Sequence, residues 1–361
     1  MRTAAVIGTG LIGTSVALAL SRRGVRVYLA DRDDDAVRTA ASLGAGETGT
    51  PAEPVDLAVI AVPPAYIADT LFEAQQRDLA RTYTDVASVK AEPQHAAAAR
   101  GADQATYIGG HPLAGLERSG PLAARPDLFD GRPWVLTPTP ATGREALNRA
   151  LELISLCGAV PVVMDAAEHD HAVALISHTP HLVAALMAAR LQHASEDAAR
   201  IAGPGVRDVT RVAAGDPRLW EEILTANAGA VADVLEDYAS DLAAAVAALR
   251  ALAAQDPVKR GAGRDDLVDL LRRGNVGQAR IPGKHGAPRA VYASVAVVIS
   301  DAPGELARLF AATGAAGVNI EDLRIEHSPG QAVGLVTLQV APDAADTLAQ
   351  RLTERGWDVQ R

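Results

Sequence analysis

Residues 4–13 read Ala4-Ala5-Val6-Ile7-Gly8-Thr9-Gly10-Leu11-Ile12-Gly13, and the reading of this stretch decides the fold. A short apolar run ends in G-x-G-x-x-G, and an Ala- and Leu-rich helical stretch follows at once. Gly8 allows the tight turn, Gly10 lets the backbone approach a pyrophosphate, and Gly13 lets helix and strand pack closely. Leu11 and Ile12 complete the turn, where a helix N-terminus offers amides to an anion. The next strand ends at Asp31, whose carboxylate can accept from adenosine ribose hydroxyls and repel a 2′-phosphate, so NAD is favoured over NADP. Arg32 beside it is the one feature that speaks for NADP. A third strand ends in Ala61-Val62-Pro63-Pro64 and places Val62 and Pro63 over a bound cofactor, a purely core role being the alternative.

Outward from that turn, short β-branched runs alternate with helical stretches up to about Asp165. The strands expected are Ala4–Gly8, Val25–Ala30, Leu57–Val62, Thr82–Val86, Thr106–Gly109, Trp134–Thr137 and Val160–Met164. This pattern predicts an α/β fold with a Rossmann-type parallel sheet over residues 1–165. Strand signals then vanish, and residues 166–254 are expected to form an all-helical domain. Asp165, with Glu168 three residues later, caps its first helix. Its last helix carries Trp220, Ile223, Leu224, Asn227, Val231, Val234, Leu235, Tyr238, Leu242, Val246 and Leu249, an apolar stripe suited to a partner subunit, so a homodimer is expected. Residues 255–288, rich in Gly and broken by Pro around one helical piece at Asp265–Arg273, read as a linker. Residues 289–361 resume an alternation: strand Val291–Ser300, helix Gly304–Ala316, strands Ile320–Ser328 and Ala332–Ala341, helix Ala344–Arg355 and strand Trp357–Gln360. A βαββαβ order is a small α/β sandwich with its own core.

Composition bounds the function. At 361 residues the chain predicts more than one core, and 48% hydrophobic with 22% charged residues is globular. A formal net charge of −10 disfavours nucleic-acid binding. No uninterrupted apolar run approaches the roughly 18 residues of a membrane span. The N-terminus runs straight into the first strand, leaving no cleavable leader, and a cytoplasmic protein is expected. The lone Cys157 excludes an internal disulfide and reads as a small buried hydrophobe ending a helix.

Two segments stand at successive strand ends: Asp85-Val86-Ala87-Ser88-Val89-Lys90 and Gly109-Gly110-His111-Pro112-Leu113-Ala114-Gly115. In an open parallel sheet these ends face the ligand crevice, so Ser88, Lys90 and His111 are candidates to converge beside a nicotinamide. An isolated His-Pro is also readily a buried histidine satisfied by backbone. His178 and His181, in Ser177-His178-Thr179-Pro180-His181, share a helix face, and Pro180 between them is expected to kink the helix. No third ligand stands at metal spacing, so no metal is expected.

With the glycine fingerprint, these motifs and Arg207-Asp208-Val209-Thr210-Arg211 followed by Trp220 resemble the prephenate/arogenate dehydrogenase family, in the right order over residues 4 to 250. The resemblance implies a Rossmann domain, a helical dimerisation domain and oxidative decarboxylation of a cyclohexadienol by NAD. It implies His111 as the base near the ring hydroxyl, Ser88 hydrogen-bonded to it, and Arg211, His181 and His178 as substrate-binding residues. Prephenate and arogenate stay open as substrates. Asp301-Ala302-Pro303-Gly304-Glu305-Leu306-Ala307 with Gly317-Val318-Asn319-Ile320-Glu321 resembles an ACT domain, which implies an aromatic amino acid as effector, a purely dimer-stabilising role being the alternative. Two other functions are weighed. A β-hydroxyacid dehydrogenase would want a lysine on the helical domain, where residues 165–255 have none; a catalytically silent sensor would not need His111, Ser88 and Arg211 together.

Overall fold

The computed structural model describes residues 1–115, 118–281, 291–327 and 332–360. The chain divides into two compact units, Met1–Ala244 and Ala245–Arg361.

The first unit opens with strand β1 (Thr3–Ile7), helix α1 (Leu11–Arg22), β2 (Arg26–Ala30), α2 (Asp34–Ser42) and the short edge strand β3 (Glu47–Thr48). Then come β4 (Leu57–Ile60), α3 (Ile67–Gln76), β5 (Tyr83–Asp85), α4 (Ala91–Arg100) and β6 (Tyr107–Pro112). β7 (Pro133–Thr137), α5 (Arg144–Leu156) and β8 (Val160–Val163) complete the sheet. Its order is β3-β2-β1-β4-β5-β6-β7-β8. Alternate residues of each strand serve opposite faces, as the two-residue period requires: Ala4 and Val6 pack with α1 and α5, Ala5 with α3 and α4. β4, Leu-Ala-Val-Ile, is buried at every position because helices cover both faces.

The sheet is parallel through β6, as expected, but its last two strands run the other way. β7 is antiparallel to β6, and β8 parallel to β7. The physical reason is the connection: among the described residues of 113–132 the helical structure is a single 3-10 turn, Pro121–Ala123, where a parallel neighbour needs a helical crossover.

Helix α6 (Ala166–Val173) starts where expected, with the Asp165 carboxylate accepting from Ala167 N at 2.8 Å. A five-residue π-helical segment, Ala174–His178, joins it to α7 (Thr179–Leu191). Where a kink at Pro180 was expected, the helix has a π segment ending two residues before the proline, which has no N–H to continue an α-helical ladder. By length and hydropathy alone Ala166–Leu191 could cross a bilayer. Asp170, His178 and His181 inside it are buried against other parts of this unit.

Short helices α8 (Glu196–Arg200) and α9 (Pro204–Thr210) lead through a 3-10 turn, Arg211–Ala214, to α10 (Pro217–Ala226) and α11 (Ala228–Leu252). The stripe from Trp220 to Leu249, expected on one helix, is split between these two at Asn227. Its buried side chain bonds sideways, to the Asp170 carbonyl at 2.8 Å.

In the second unit the end of α11 meets α12 (Pro257–Ala279). The expected linker is thus largely helix, and its part at 282–288 lies outside the described residues. Asp256 caps α12 and Pro257 opens it, while Gly263 sits so close to α11 that a Cβ there would lie 2.6 Å from the Ala248 carbonyl. Tertiary contact overrides the weak helix propensity of its glycines. Beyond it lie β9 (Ala293–Ser300), α13 (Glu305–Ala315), β10 (Asp322–His327), β11 (Val333–Val340), α14 (Pro342–Glu354) and β12 (Asp358–Gln360). The βαββαβ order holds in an antiparallel sheet β10-β11-β9-β12, with Val297, Val336, Leu309 and Leu352 in its core.

Candidate active site

The glycine turn is built as a cradle. Gly8 has φ +103°, and a Cβ on it would lie 2.2 Å from the Ala61 carbonyl oxygen; a Cβ on Gly13 would lie 1.9 Å from that of Gly8. No side chain fits at either place. A Cβ on Gly10 would meet nothing within 4 Å, so the turn faces open space there. The opening amides of α1 lack intrahelical acceptors and line that space, with Val62 close by on the β4 loop. Donors of this kind around an open concavity fit a diphosphate.

Asp31 ends β2 beside this turn. It accepts from Thr9 N at 2.6 Å, Thr9 Oγ1 at 3.0 Å and Asp33 N at 3.0 Å. Burial pushes its carboxyl up, but these hydrogen bonds outweigh it and hold Asp31 below the usual range. The Arg32 guanidinium lies over the Tyr66 ring, 5.7 Å from its centre.

His111 stands on β6, beyond the two residues that pair with β5, where β7 holds it opposite Val135. Its Nδ1 meets His169 Nε2 at 2.8 Å, and His169 Nδ1 meets Asp170 Oδ1 at 2.8 Å. The expected hydrogen bond from Ser88 to His111 is not formed; Ser88 lies half-buried on the turn after β5, and α6 supplies His169 instead. Asp170 is anchored by Lys90 N and Ala91 N, each at 2.8 Å, at the start of α4. Burial pushes its carboxyl up, yet the bonds from His169, Ala91 N and Lys90 N prevail and lower it. A carboxylate only accepts, so a singly protonated His169 carries its proton on Nδ1 and accepts on Nε2. His111 must then donate from Nδ1, which leaves its Nε2 lone pair free. Burial, then His169, Lys90 and His178, push the His111 imidazole well below its ordinary value, so it is neutral at pH 7.

Lys90 does not join the crevice. Its fully buried ammonium pairs with Asp85 and donates to the Gly110 carbonyl at 2.6 Å, while Tyr107 donates to the other Asp85 oxygen at 2.6 Å.

His178 and His181 flank one ring, as the shared helix face requires. Trp220 is stacked on His181 at 3.6 Å between centroids and meets His178 edge-on at 6.4 Å. Gly215 permits this, since a Cβ there would lie 2.6 Å from the indole nitrogen. Buried His181 Nδ1 has no hydrogen-bond partner among the described residues. His181 and Trp220 wall a pocket of ≈ 640 Å³ with Arg118, Val212, Asp216 and Ile223. Arg211 is exposed, one residue before the wall, and is not part of it. Sequence reasoning missed His169, Asp170, Arg118 and Asn227. The His169-Asp170-His171 run just inside a helix start was the available signal, hidden by the reading of that segment as a cap.

Residues 16–163 match the family described as prephenate dehydrogenase, nucleotide-binding domain, and residues 165–270 its dimerization domain. The chain belongs to the prephenate dehydrogenase family. One family relative, a probable prephenate dehydrogenase named NovF from Streptomyces niveus, is 44% identical over 360 residues, 99% of each chain. Among solved structures, prephenate dehydrogenase from A. aeolicus in complex with hydroxyphenyl propionate and NAD⁺ is 27% identical with a TM-score of 0.66, over 78% of this chain and 98% of that one. Synechocystis arogenate dehydrogenase is 29% identical with a TM-score of 0.65, over 77% and 99%. The family matches end at residue 270, short of the β9–β12 sheet, whereas the Streptomyces relative spans it.

Proposed function

We propose that this chain oxidatively decarboxylates prephenate to 4-hydroxyphenylpyruvate. The carrying observation is the free Nε2 of a neutral His111 at the end of β6, in a chain of this family. NAD⁺, when bound, supplies the oxidant by accepting a hydride from the carbon that bears the ring hydroxyl. Gly8, Gly10, Leu11, Ile12 and Gly13 would hold its diphosphate, Asp31 its adenosine ribose, and Val62 and Pro63 would cover it. Asp31 repels a 2′-phosphate, which favours NAD over NADP.

His111 Nε2 accepts the hydroxyl proton as the carbonyl develops. His181 and Trp220 wall the pocket in which the side chain of the substrate lies, and His178 braces them. Arg118, in the pocket wall, supplies a guanidinium group for one carboxylate, and Arg211, one residue outside the wall, reaches the other from the rim. Ser88, beside the same crevice, donates toward the ring hydroxyl. Loss of the ring carboxylate as carbon dioxide then restores aromaticity.

Arogenate is the second reading, favoured by the Asp216 carboxylate in the pocket wall, which suits an ammonium in place of the ketone. The test crosses NAD and NADP with prephenate and arogenate on purified protein and reads reduced cofactor. Turnover of neither substrate refutes the assignment.

The active form is a homodimer in the cytoplasm, joined through the exposed stripe Tyr238, Leu242, Val246 and Leu249 on α11, within a chain that matches a dimerization domain. The β9–β12 sandwich, ACT-like in its βαββαβ order, binds an aromatic amino acid near Gly304 and Asn319. Calorimetric titration of the full chain with tyrosine and phenylalanine tests this, and no heat from either overturns it.

A further inference from the structure

We propose that His169 and Asp170 form a proton relay behind His111, fixing its tautomer and receiving its Nδ1 proton as Nε2 takes the proton of the substrate. This rests on the reading of His111 as the base of a dehydrogenase. Three observations carry it. The contacts Asp170 Oδ1 to His169 Nδ1 and His169 Nε2 to His111 Nδ1 are both 2.8 Å, and the two imidazoles meet edge to face, 79° apart. His169 is only 1% exposed, so water does not compete for either bond. Asp170 is held by two backbone amides at the N-terminus of the ten-residue α4, a position that keeps a carboxylate charged.

The step balances without moving a heavy atom. The O–H bond of the ring hydroxyl breaks, its electron pair goes into the new carbonyl, and the proton forms an N–H bond on His111 Nε2. The His111 Nδ1–H bond breaks and that proton bonds to His169 Nε2. The 2.8 Å contact survives with donor and acceptor exchanged. The positive charge thus leaves His111, which faces Lys90 and His178, and comes to rest on His169 beside Asp170. The Lys90 ammonium is already committed to Asp85, and Asn227 braces both sides by donating to the Asp170 carbonyl and contacting His178 Nδ1 at 3.2 Å. The relay therefore lowers the cost of the cation at the moment of proton transfer by placing it against the Asp170 carboxylate.

Two experiments test it. Nitrogen-15 NMR of histidine-labelled wild-type protein above neutral pH should find Nδ1–H with an unprotonated Nε2 on both His111 and His169; an Nε2–H tautomer at His111 overturns the relay. In steady-state kinetics, Asp170→Asn should lower kcat about 10²-fold with KM within about twofold, and move the acid limb of the kcat profile to lower pH. His169→Gln should lower kcat similarly, with NAD titration confirming that both variants fold. A lowered kcat with the acid limb of Asp170→Asn unmoved means the pair only braces the site, and overturns the proposal, as does an unchanged kcat. If the wild type turns over neither prephenate nor arogenate, the dehydrogenase reading fails, and the tautomers still decide the relay.

Discussion

At the scale of single residues, the glycines of the turn separate binding from folding. Gly10 has φ −71°, ordinary for any residue, and space before it. Gly10→Ala should therefore leave the melting temperature unchanged while weakening NAD, because the methyl occupies the anion's place. Gly13→Ala drives a Cβ into the Gly8 carbonyl and should cost about 2 kcal/mol or more of stability. Thermal melts beside NAD titrations of the two variants check the contrast. His111→Asn should lose roughly 10³-fold in turnover with NAD affinity kept, as measured by single-wavelength assay and titration; near-normal turnover refutes its role as base. These residues were legible because glycine spacing and His-Pro are local signals. The Ser88–His111 bond was misjudged because a motif gives order along the chain and not the direction of a side chain. The partner that His111 meets comes from 58 residues away, a separation that no local pattern spans.

At the scale of elements, the ends of β5 and β6 and the start of α4 are pinned by one buried charge cluster. Lys90 and Asp85 are both fully buried, so Lys90→Met strands a carboxylate and should destabilise by about 3–5 kcal/mol. Lys90→Met with Asp85→Asn should recover part of that loss, and denaturant melts of both variants check it. Strand and helix positions were readable to within a few residues wherever periodicity was strong, as at Leu57–Ile60 and through the βαββαβ sandwich. β3 escaped notice because Glu47 and Thr48 are exposed at a sheet edge and carry no apolar alternation. α12 escaped because its glycines weaken propensity, while the contact that rescues it, Gly263 on Ala248, is tertiary. The break at Asn227 was invisible for the opposite reason: helical spacing continues through it, and only a buried hydrogen bond marks the stop.

At the scale of the whole molecule, stability should respond to mild acid. Burial lowers the affinity of His111, His178 and His181 for protons relative to the unfolded chain. Below about pH 6.5 the unfolded state binds more protons, so stability is full above that value and declines as pH falls toward the depressed folded values. Asp31 and Asp170, held below their ordinary values, add a further loss near and below pH 4. Melting temperatures from pH 8 to pH 5 should fall in that direction, and a flat profile would count against neutral buried histidines. Assembly is tested separately: Leu242→Arg on the exposed stripe should shift sedimentation toward monomer. The reversal of β7 against β6 bears on endurance. Because His111 sits on a ladder rung opposite Val135 instead of on a loop, the imidazole is carried by the frame that holds the fold together. Its amide should exchange with heavy water as slowly as those of the central strands, and ligands can come and go while the reactive nitrogen keeps its station.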